Sequence, residues 1–133
     1  MRYLGLDYGL KKIGLAIGDD KSKIASPLEV IKVINVIAVI ENIKDLIAEE
    51  GIEAIVVGVP KKVGDFHSGG QLDLTKKFID NLRLRTGLPV HEVDESYTSR
   101  ESQRLQKEQG ATASEDALAA MLILQEYLNN ESR

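Results

Sequence analysis

The sequence predicts an α/β domain in which a mixed β-sheet carries helices packed on its faces. Three short β-prone segments near the amino terminus follow one another with short connections, which favours antiparallel pairing. After residue 35, apolar strands alternate with helical segments, an order typical of parallel strands joined by helical crossovers. The length of 133 residues suits a single domain that covers residues 1–133.

The first half of the chain contains three predicted strands and one helix. The strands are predicted at residues 3–6, 13–17 and 24–34. Pro27 favours an edge position for the third strand because proline has no N–H to donate to a ladder. The break near Asn35, a good helix N-cap, is preferred to one continuous apolar helix over residues 31–40. Apolar residues at three- and four-residue spacing then predict an amphipathic helix that ends at Gly51.

The second half alternates strands and helices. Residues 54–59 form a continuous apolar run typical of a strand buried on both faces, and residues 61–70 resemble a loop. A helix that ends at Gly87 and a strand at residues 89–94 follow. Capping boxes at Thr98/Glu101 and Thr112/Glu115 predict two more helices. The predicted order is β-β-β-α-β-α-β-α-α.

Composition excludes several function classes. The absence of cysteine excludes disulfides, a thiolate nucleophile and Cys-built metal sites. The net charge of −4 argues against nucleic-acid binding over the whole surface, although a local basic patch remains open. No apolar run reaches the length of a membrane span and the amino terminus lacks a signal-peptide pattern, so we expect a cytoplasmic protein without a membrane partner.

Three aspartates fall where active-site acids are expected in such a sheet. Asp7 ends the first strand, Asp94 ends the last strand, and Asp116 lies in the first turn of the final helix. Ligands collect beside the carboxyl ends of strands, and parallel neighbours would bring Asp7 and Asp94 together. Three convergent carboxylates suit Mg²⁺ or Mn²⁺ and phosphoryl chemistry. Taken singly, each aspartate also fits an ordinary turn, strand-end or helix-start role.

Basic residues near the same turns are candidate phosphate ligands. They would attract a polyanion that bare carboxylates repel, although paired lysines are also common on solvated surfaces. With Thr98, the candidate nucleic-acid-binding residues are Lys11, Lys12, Lys61, Lys62, Arg100 and Arg104.

Four ordered blocks resemble the YqgF family. They are residues 4–17, with an Asp-x-Gly hairpin; residues 57–60, a strand that ends in Gly-x-Pro; residues 93–99, which begin Val-Asp-Glu; and residues 116–125, an aspartate followed by a helix of small residues. Members of this family are described as Holliday-junction resolvases or pre-16S ribosomal RNA nucleases with an RNase H-like fold. The resemblance covers nearly the whole chain.

The resemblance implies a metal-dependent nuclease. Asp7, Asp94 and Asp116 would hold Mg²⁺ or Mn²⁺, with Glu95 beside them as a further catalytic residue. The expected partner is nucleic acid, with a ribosomal RNA precursor favoured and branched DNA as the alternative; the oligomeric state stays open.

The resemblance also gives roles to particular residues and shows departures. It implies that Gly9 and Gly14 keep the hairpin beside the first aspartate free of side chains where backbone meets phosphate. Ser96 stands where the family carries an arginine, which removes a bidentate phosphate donor. Lys62 replaces the usual asparagine after Gly-x-Pro.

Two other functions share parts of this pattern. Actin-like ATPases and sugar kinases use a similar Asp-x-Gly hairpin, but they need two such domains and this chain has room for one. A module that binds RNA, DNA or the ribosome without cleaving would keep the fold, and loss of metal-dependent cleavage on Asp7→Asn separates it from a nuclease.

Overall fold

The computed structural model describes residues 1–59, 66–94 and 115–131. Within these ranges the chain forms one five-stranded sheet and three helices. In chain order they are β1 (Arg2–Tyr8), β2 (Lys12–Asp19), β3 (Ala25–Lys32), α1 (Val36–Glu50), β4 (Ala54–Val59), α2 (Phe66–Thr86), β5 (Val90–Asp94) and α3 (Glu115–Glu131).

The sheet is mixed, as the sequence predicts. Its strand order is β3-β2-β1-β4-β5. β2 pairs antiparallel with both β1 and β3, whereas β4 pairs parallel with both β1 and β5. β3 lies at an edge, as Pro27 indicates. The first and last strands run parallel but are not neighbours, because β4 lies between them.

Helices cover both faces of the sheet. On one face, α1 and α2 pack against alternate residues of the strands, among them Leu4, Leu6, Ile55 and Val57. On the other face, α3 packs against the intervening residues, a second apolar cluster that includes Val56. None of the helices in the described ranges is long and apolar enough to cross a membrane.

On the first face, the predicted boundaries of α1 agree with the structure, whereas the predicted start of α2 does not. The start and end of α1 are confirmed, since Asn35 Oδ1 accepts the Ala38 N–H at 2.8 Å and Gly51 ends the helix with a φ of 64°. The loop predicted over residues 61–70 is wrong in its second part, because α2 already begins at Phe66. Gly69 and Gly70 lower the helix propensity of this segment but do not end the helix. Favourable neighbouring residues can offset the cost of a glycine in a helix. The helix predicted to open at Thr98 lies outside the described residues.

Polar contacts join α2 to β5. Glu92 of β5 accepts a hydrogen bond from Lys76 and forms an ion pair with Arg83 at 3.5 Å. Arg83 also donates to the carbonyl of Val90 at 2.8 Å. The hydrogen bond from Lys76 is the largest of the interactions that lower the pKa of Glu92 from its ordinary value.

We expect Glu92→Gln to destabilise the protein at neutral pH and to have little effect in acid. A carboxyl with a lowered folded-state pKa contributes stability above its ordinary value near 4.5, and this contribution is lost as the pH falls through the folded-state pKa. Urea unfolding of both proteins between pH 7 and pH 3 measures the difference. A gap in unfolding free energy that stays constant over this range would contradict the assignment.

Candidate active site

Helix α3 lies very close to the sheet because glycines on β1 and β2 leave room for it. A Cβ atom built on Gly14 would lie 1.9 Å from the carbonyl oxygen of Asp116. A Cβ on Gly5 would lie 2.7 Å from Cβ of Leu124. Any larger residue at Gly14 would meet helix backbone, which cannot rotate away as a side chain can. The first turn of α3 is therefore held directly against β2.

Contacts in the second half of α3 fix its position along the sheet. The Ala25 N–H donates to Oε1 of Gln125 at 2.9 Å, and Nε2 of Gln125 donates to the Lys23 carbonyl at 2.7 Å. Tyr127 stacks on His91 of β5 with ring centroids 5.1 Å apart. Because these contacts involve both β3 and β5, the helix can neither slide nor swing without breaking one of them.

Asp7 lies on the face of the sheet that α3 covers. Leu6 belongs to the cluster under α1 and α2, and Gly5 contacts α3, so the pleat places Asp7 on the α3 side. Its register partners are Gly14 on β2 and Gly58 on β4. Asp7 is half-buried, and its direct partners on both neighbouring strands are glycines.

Asp116 is placed beside Asp7 by the same glycine. It is the second residue of α3, half-buried, and its carbonyl group contacts Gly14, the partner of Asp7. Partners across an antiparallel ladder lie about 5 Å apart. An acidic residue in the first turn also interacts favourably with the helix dipole. The structure thus brings together two of the three aspartates that the sequence singles out.

Asp94 lies elsewhere. It ends β5, two strands from Asp7, and strands are spaced about 4.8 Å apart. Val93 packs in the cluster under α3, whereas Glu92 bonds to Lys76 of α2. Strict alternation therefore places Asp94, which is exposed, on the α2 side of the sheet. β4 and this alternation separate Asp94 from Asp7, and the role of Asp94 at the metal stays a prediction.

The donor set can be compared with what a divalent cation requires. Residues 1–59, 66–94 and 115–131 contain no group of three His, Cys, Asp or Glu side chains arranged to hold a metal ion. Mg²⁺, however, usually binds one or two carboxylates and completes its shell with water and substrate phosphate. Asp7 and Asp116 are oxygen donors of this kind, and the contact of α3 with Gly14 places their backbones close together. These two residues therefore fit a Mg²⁺ or Mn²⁺ site.

A cluster of lysines lies at the end of β2 and β3 nearest to this pair. Lys12 and Lys32 are direct cross-strand partners, and the Lys11 carbonyl accepts the Val33 N–H at 2.8 Å. All three lysines are exposed, and none forms an ion pair within the described part of the chain. Lys12 lies two residues from Gly14 on β2, hence on the Asp7 face and about 7 Å along the strand. We call Lys11, Lys12 and Lys32 the lysine cluster.

The sequence predicts Lys11 and Lys12 as phosphate ligands but gives no sign that Lys32 lies beside them. The signal that could have found it is the β2–β3 register, which places residues 12 and 32 opposite each other. That register includes an irregularity between Leu15 and Ala16, so turn length alone would not have predicted it.

The remaining predicted site residues lie outside the described residues. They are Lys61, Lys62, Glu95, Thr98, Arg100 and Arg104.

The structure gives the two hairpin glycines packing roles. Gly14 makes room for the backbone of α3, and a Cβ on Gly9 would lie 2.6 Å from the Lys12 carbonyl oxygen. Both positions exclude a side chain because backbone already occupies the space.

Known proteins resemble this chain both in sequence and in fold. A family model described as "RuvX: Holliday junction resolvase" matches residues 1–130. The chain belongs to the RuvX family. Relatives named "Putative pre-16S rRNA nuclease" include one from Desulforudis audaxviator, 36% identical over 98% of this chain and 95% of the relative. Another, from a Sulfurihydrogenibium species, is 39% identical over 98% of this chain and 92% of the relative. The predicted family and the nuclease class are confirmed.

Solved structures with the same fold include two resolvases. Thermus thermophilus RuvC in complex with a Holliday junction substrate has a TM-score of 0.68 and 17% identity, and the match covers 99% of this chain and 96% of RuvC. The fowlpox virus resolvase in complex with Holliday junction DNA has a TM-score of 0.64 and 11% identity over the whole of both chains. These matches confirm the RNase H-like fold for this RuvX-family chain.

Gly14→Ala should destabilise the protein and displace Asp116. The added methyl group meets the helix carbonyl, so α3 must shift, at a cost of about 1–3 kcal/mol. Thermal unfolding measures the melting temperature without metal and its increase on adding Mn²⁺. Both values should be lower than in the wild type. Gly5→Ala is the matched control: its methyl group meets Leu124 further along α3, so stability falls while the Mn²⁺ response survives. A normal Mn²⁺ response in Gly14→Ala would contradict the role of this contact.

Lys32→Glu should stabilise the fold and weaken nucleic-acid binding. Like charges directly opposite in a ladder are destabilising, and the substitution creates an opposite-charge pair with Lys12 worth about 0.2–1 kcal/mol. Urea unfolding at low salt and fluorescence anisotropy with a labelled oligonucleotide measure the two effects. Lys23→Glu is the control variant, because Lys23 lies in the turn at the other end of β2 and β3. It changes the net charge by the same amount without placing an acid opposite Lys12. An unchanged or lower stability for Lys32→Glu would argue against direct repulsion of Lys12 by Lys32.

Proposed function

We propose that this RuvX-family chain is a Mg²⁺- or Mn²⁺-dependent nuclease that hydrolyses phosphodiester bonds in the pre-16S ribosomal RNA, in the cytoplasm. The observation that carries the proposal is Asp7 set between Gly14 and Gly58, with the backbone of Asp116 against Gly14. The ribosomal precursor as substrate rests on the shared name of relatives that match nearly the full length of the chain.

Asp7 and Asp116 would hold the metal ion. When bound, such an ion polarises the phosphoryl oxygen and lowers the pKa of a water that attacks phosphorus. Gly14 and Gly58 place no side chain directly beside Asp7 on β2 or β4, and the backbone of Asp116 lies over Gly14. The close packing of α3 covers the Gly14 side of the site and sets the backbone position of Asp116, the second proposed ligand.

The lysine cluster would offset the repulsion between these carboxylates and the phosphates of the substrate. Lys12 and Lys32 lie on the same face as Asp7, one pleat nearer the end of the sheet, where the neighbouring phosphate of a bound strand can reach them. Their positive charge lies next to the site although the chain carries a net charge of −4. Lys61, Lys62, Thr98, Arg100 and Arg104 are proposed as further contacts.

We further propose Glu95 as the third acidic residue at the metal. Alternation along β5 assigns Asp94 to the α2 side, while Asp7 and Asp116 are on the α3 side. Glu95 is the next residue in the chain and carries the same oxygen donors. Asp94 then has a supporting role at the strand end.

A second candidate function is resolution of branched DNA. The family model that matches residues 1–130 is described as a Holliday junction resolvase, which favours this alternative. The same metal site would serve both reactions, because each hydrolyses a phosphodiester bond. The substrate therefore has to be distinguished by assay.

Carboxylate substitutions should abolish metal-dependent cleavage while the fold survives. The assay compares the wild type with Asp7→Asn, Asp116→Asn and Glu95→Gln on a pre-16S ribosomal RNA fragment and a synthetic four-way junction, with Mn²⁺ or Mg²⁺. Each should lose at least about a hundredfold in rate, or roughly 2.7 kcal/mol of transition-state stabilisation. Asp94→Asn is the matched control and should lose much less.

The same proteins should separate metal binding from folding. Mn²⁺ should raise the melting temperature of the wild type and of Asp94→Asn but not that of Asp7→Asn, because the ion binds only the folded site. Equal cleavage by the wild type and Asp7→Asn would mean that the proposed site is not the source of the cleavage. The remaining alternative would then be a module of the same fold that binds nucleic acid without cleaving it. A greater loss in Asp94→Asn than in Glu95→Gln would reverse the choice of the third carboxylate.

A further inference from the structure

Two exposed aliphatic side chains extend beyond the end of the β2–β3 ladder. The last pair in that ladder is Lys12–Lys32, and the next contact is the hydrogen bond from Val33 to the Lys11 carbonyl. Leu10 and Ile34 each come one position further along the chain, at the same end of the sheet. Leu10 is 60% exposed and Ile34 is 88% exposed. We call Leu10 and Ile34 the aliphatic pair.

The position of this pair relates it to the candidate active site. Leu10 follows Asp7 by three residues, and Gly9 between them packs tightly against the Lys12 carbonyl. The pair therefore lies at the carboxyl end of β1, where the aspartate is. The hydrophobic effect disfavours leaving such side chains in water, so an apolar contact with a ligand would be favourable.

Charge indicates what kind of ligand fits this surface. The aliphatic pair is bordered by Lys11, Lys12 and Lys32, and the described residues provide these lysines with no ion-pair partner. A ligand that presents phosphates to the lysines and an apolar surface to Leu10 and Ile34 satisfies both. Nucleic acid does so when a base face is uncovered. Within a regular duplex each base face is covered by its neighbours, so only an unstacked or unpaired base offers it.

We propose that Leu10 and Ile34 pack against an unpaired base next to the scissile phosphate, so that the enzyme prefers nucleic acid with unpaired nucleotides at the cleavage site. The inference rests on the proposed nuclease function, since it assigns the surface to the same substrate. The lysine cluster holds the flanking phosphates and the aliphatic pair selects against continuous duplex. Aliphatic side chains are used in this way where proteins insert them between bases.

The test uses Leu10→Gln combined with Ile34→Thr, which keep side-chain size or branching and remove the apolar surface. Both positions are exposed, so folding should be unaffected. Affinity for a single strand, for a duplex with a single-stranded extension and for a blunt duplex is measured by anisotropy without divalent metal. Affinity for the first two ligands should fall by roughly tenfold, because the variant loses the partial burial of two aliphatic side chains. Affinity for the blunt duplex should stay the same.

Salt dependence distinguishes the apolar contact from the charged one. The double variant should keep the wild-type slope of log K against log salt, because it removes no phosphate contact. Lys32→Ala should make that slope shallower by about 0.7–0.9. Ile24→Thr is the matched control, since Ile24 is 63% exposed but lies in the turn at the opposite end of β2 and β3, and it should change nothing.

The outcomes separate this inference from the proposed function. An equal loss on all three ligands, or no loss on any, would overturn the preference for unpaired bases even if the wild type cleaves normally. A loss seen only with anionic lipid vesicles or with a protein partner would overturn it as well. If the wild type binds with this preference but cleaves nothing in Mn²⁺, the nuclease proposal fails and the binding preference stands.

Discussion

The contact between the backbone of α3 and Gly14 determines the geometry of the candidate site. The carbonyl of Asp116 occupies the space where any other residue would carry its Cβ. Since Gly14 is the ladder partner of Asp7, this one contact sets how close the backbones of the two aspartates lie. A backbone contact cannot adjust by rotating a side chain, so it fixes the backbone position of Asp116, a proposed metal ligand, more firmly than side-chain packing would.

The rest of α3 serves to maintain that contact. Leu124 packs over Gly5, Gln125 bonds to the β2–β3 turn and to the start of β3, and Tyr127 stacks on β5. The helix is thus attached to strands on both sides of β1. Its interior-facing residues are small or aliphatic, which allows the close approach that the glycines permit. The apolar core and the site are built by the same packing.

Near the site, several features oppose stability. Two lysines lie directly opposite each other, and two aliphatic side chains stand in solvent beside them. Like charges at that spacing and exposed apolar groups both cost free energy in the isolated protein. Residues that break local rules in this way are typical of surfaces selected for binding. A polyanion with an uncovered base would relieve both costs.

The sequence by itself determined the elements, the mixed sheet and the candidate acids, because these depend on local signals. Apolar periodicity, the Asn35 cap and Gly51 act within one or two turns, and so they located α1 correctly. The start of α2 was missed because the context of the fold outweighs the low helix propensity of two glycines. Only the tertiary structure decided that β4 separates Asp7 from Asp94, that Lys32 faces Lys12 and that Asp116 fills the space over Gly14. Strand order, register and pleat arise from contacts between distant segments, and no local pattern encodes them.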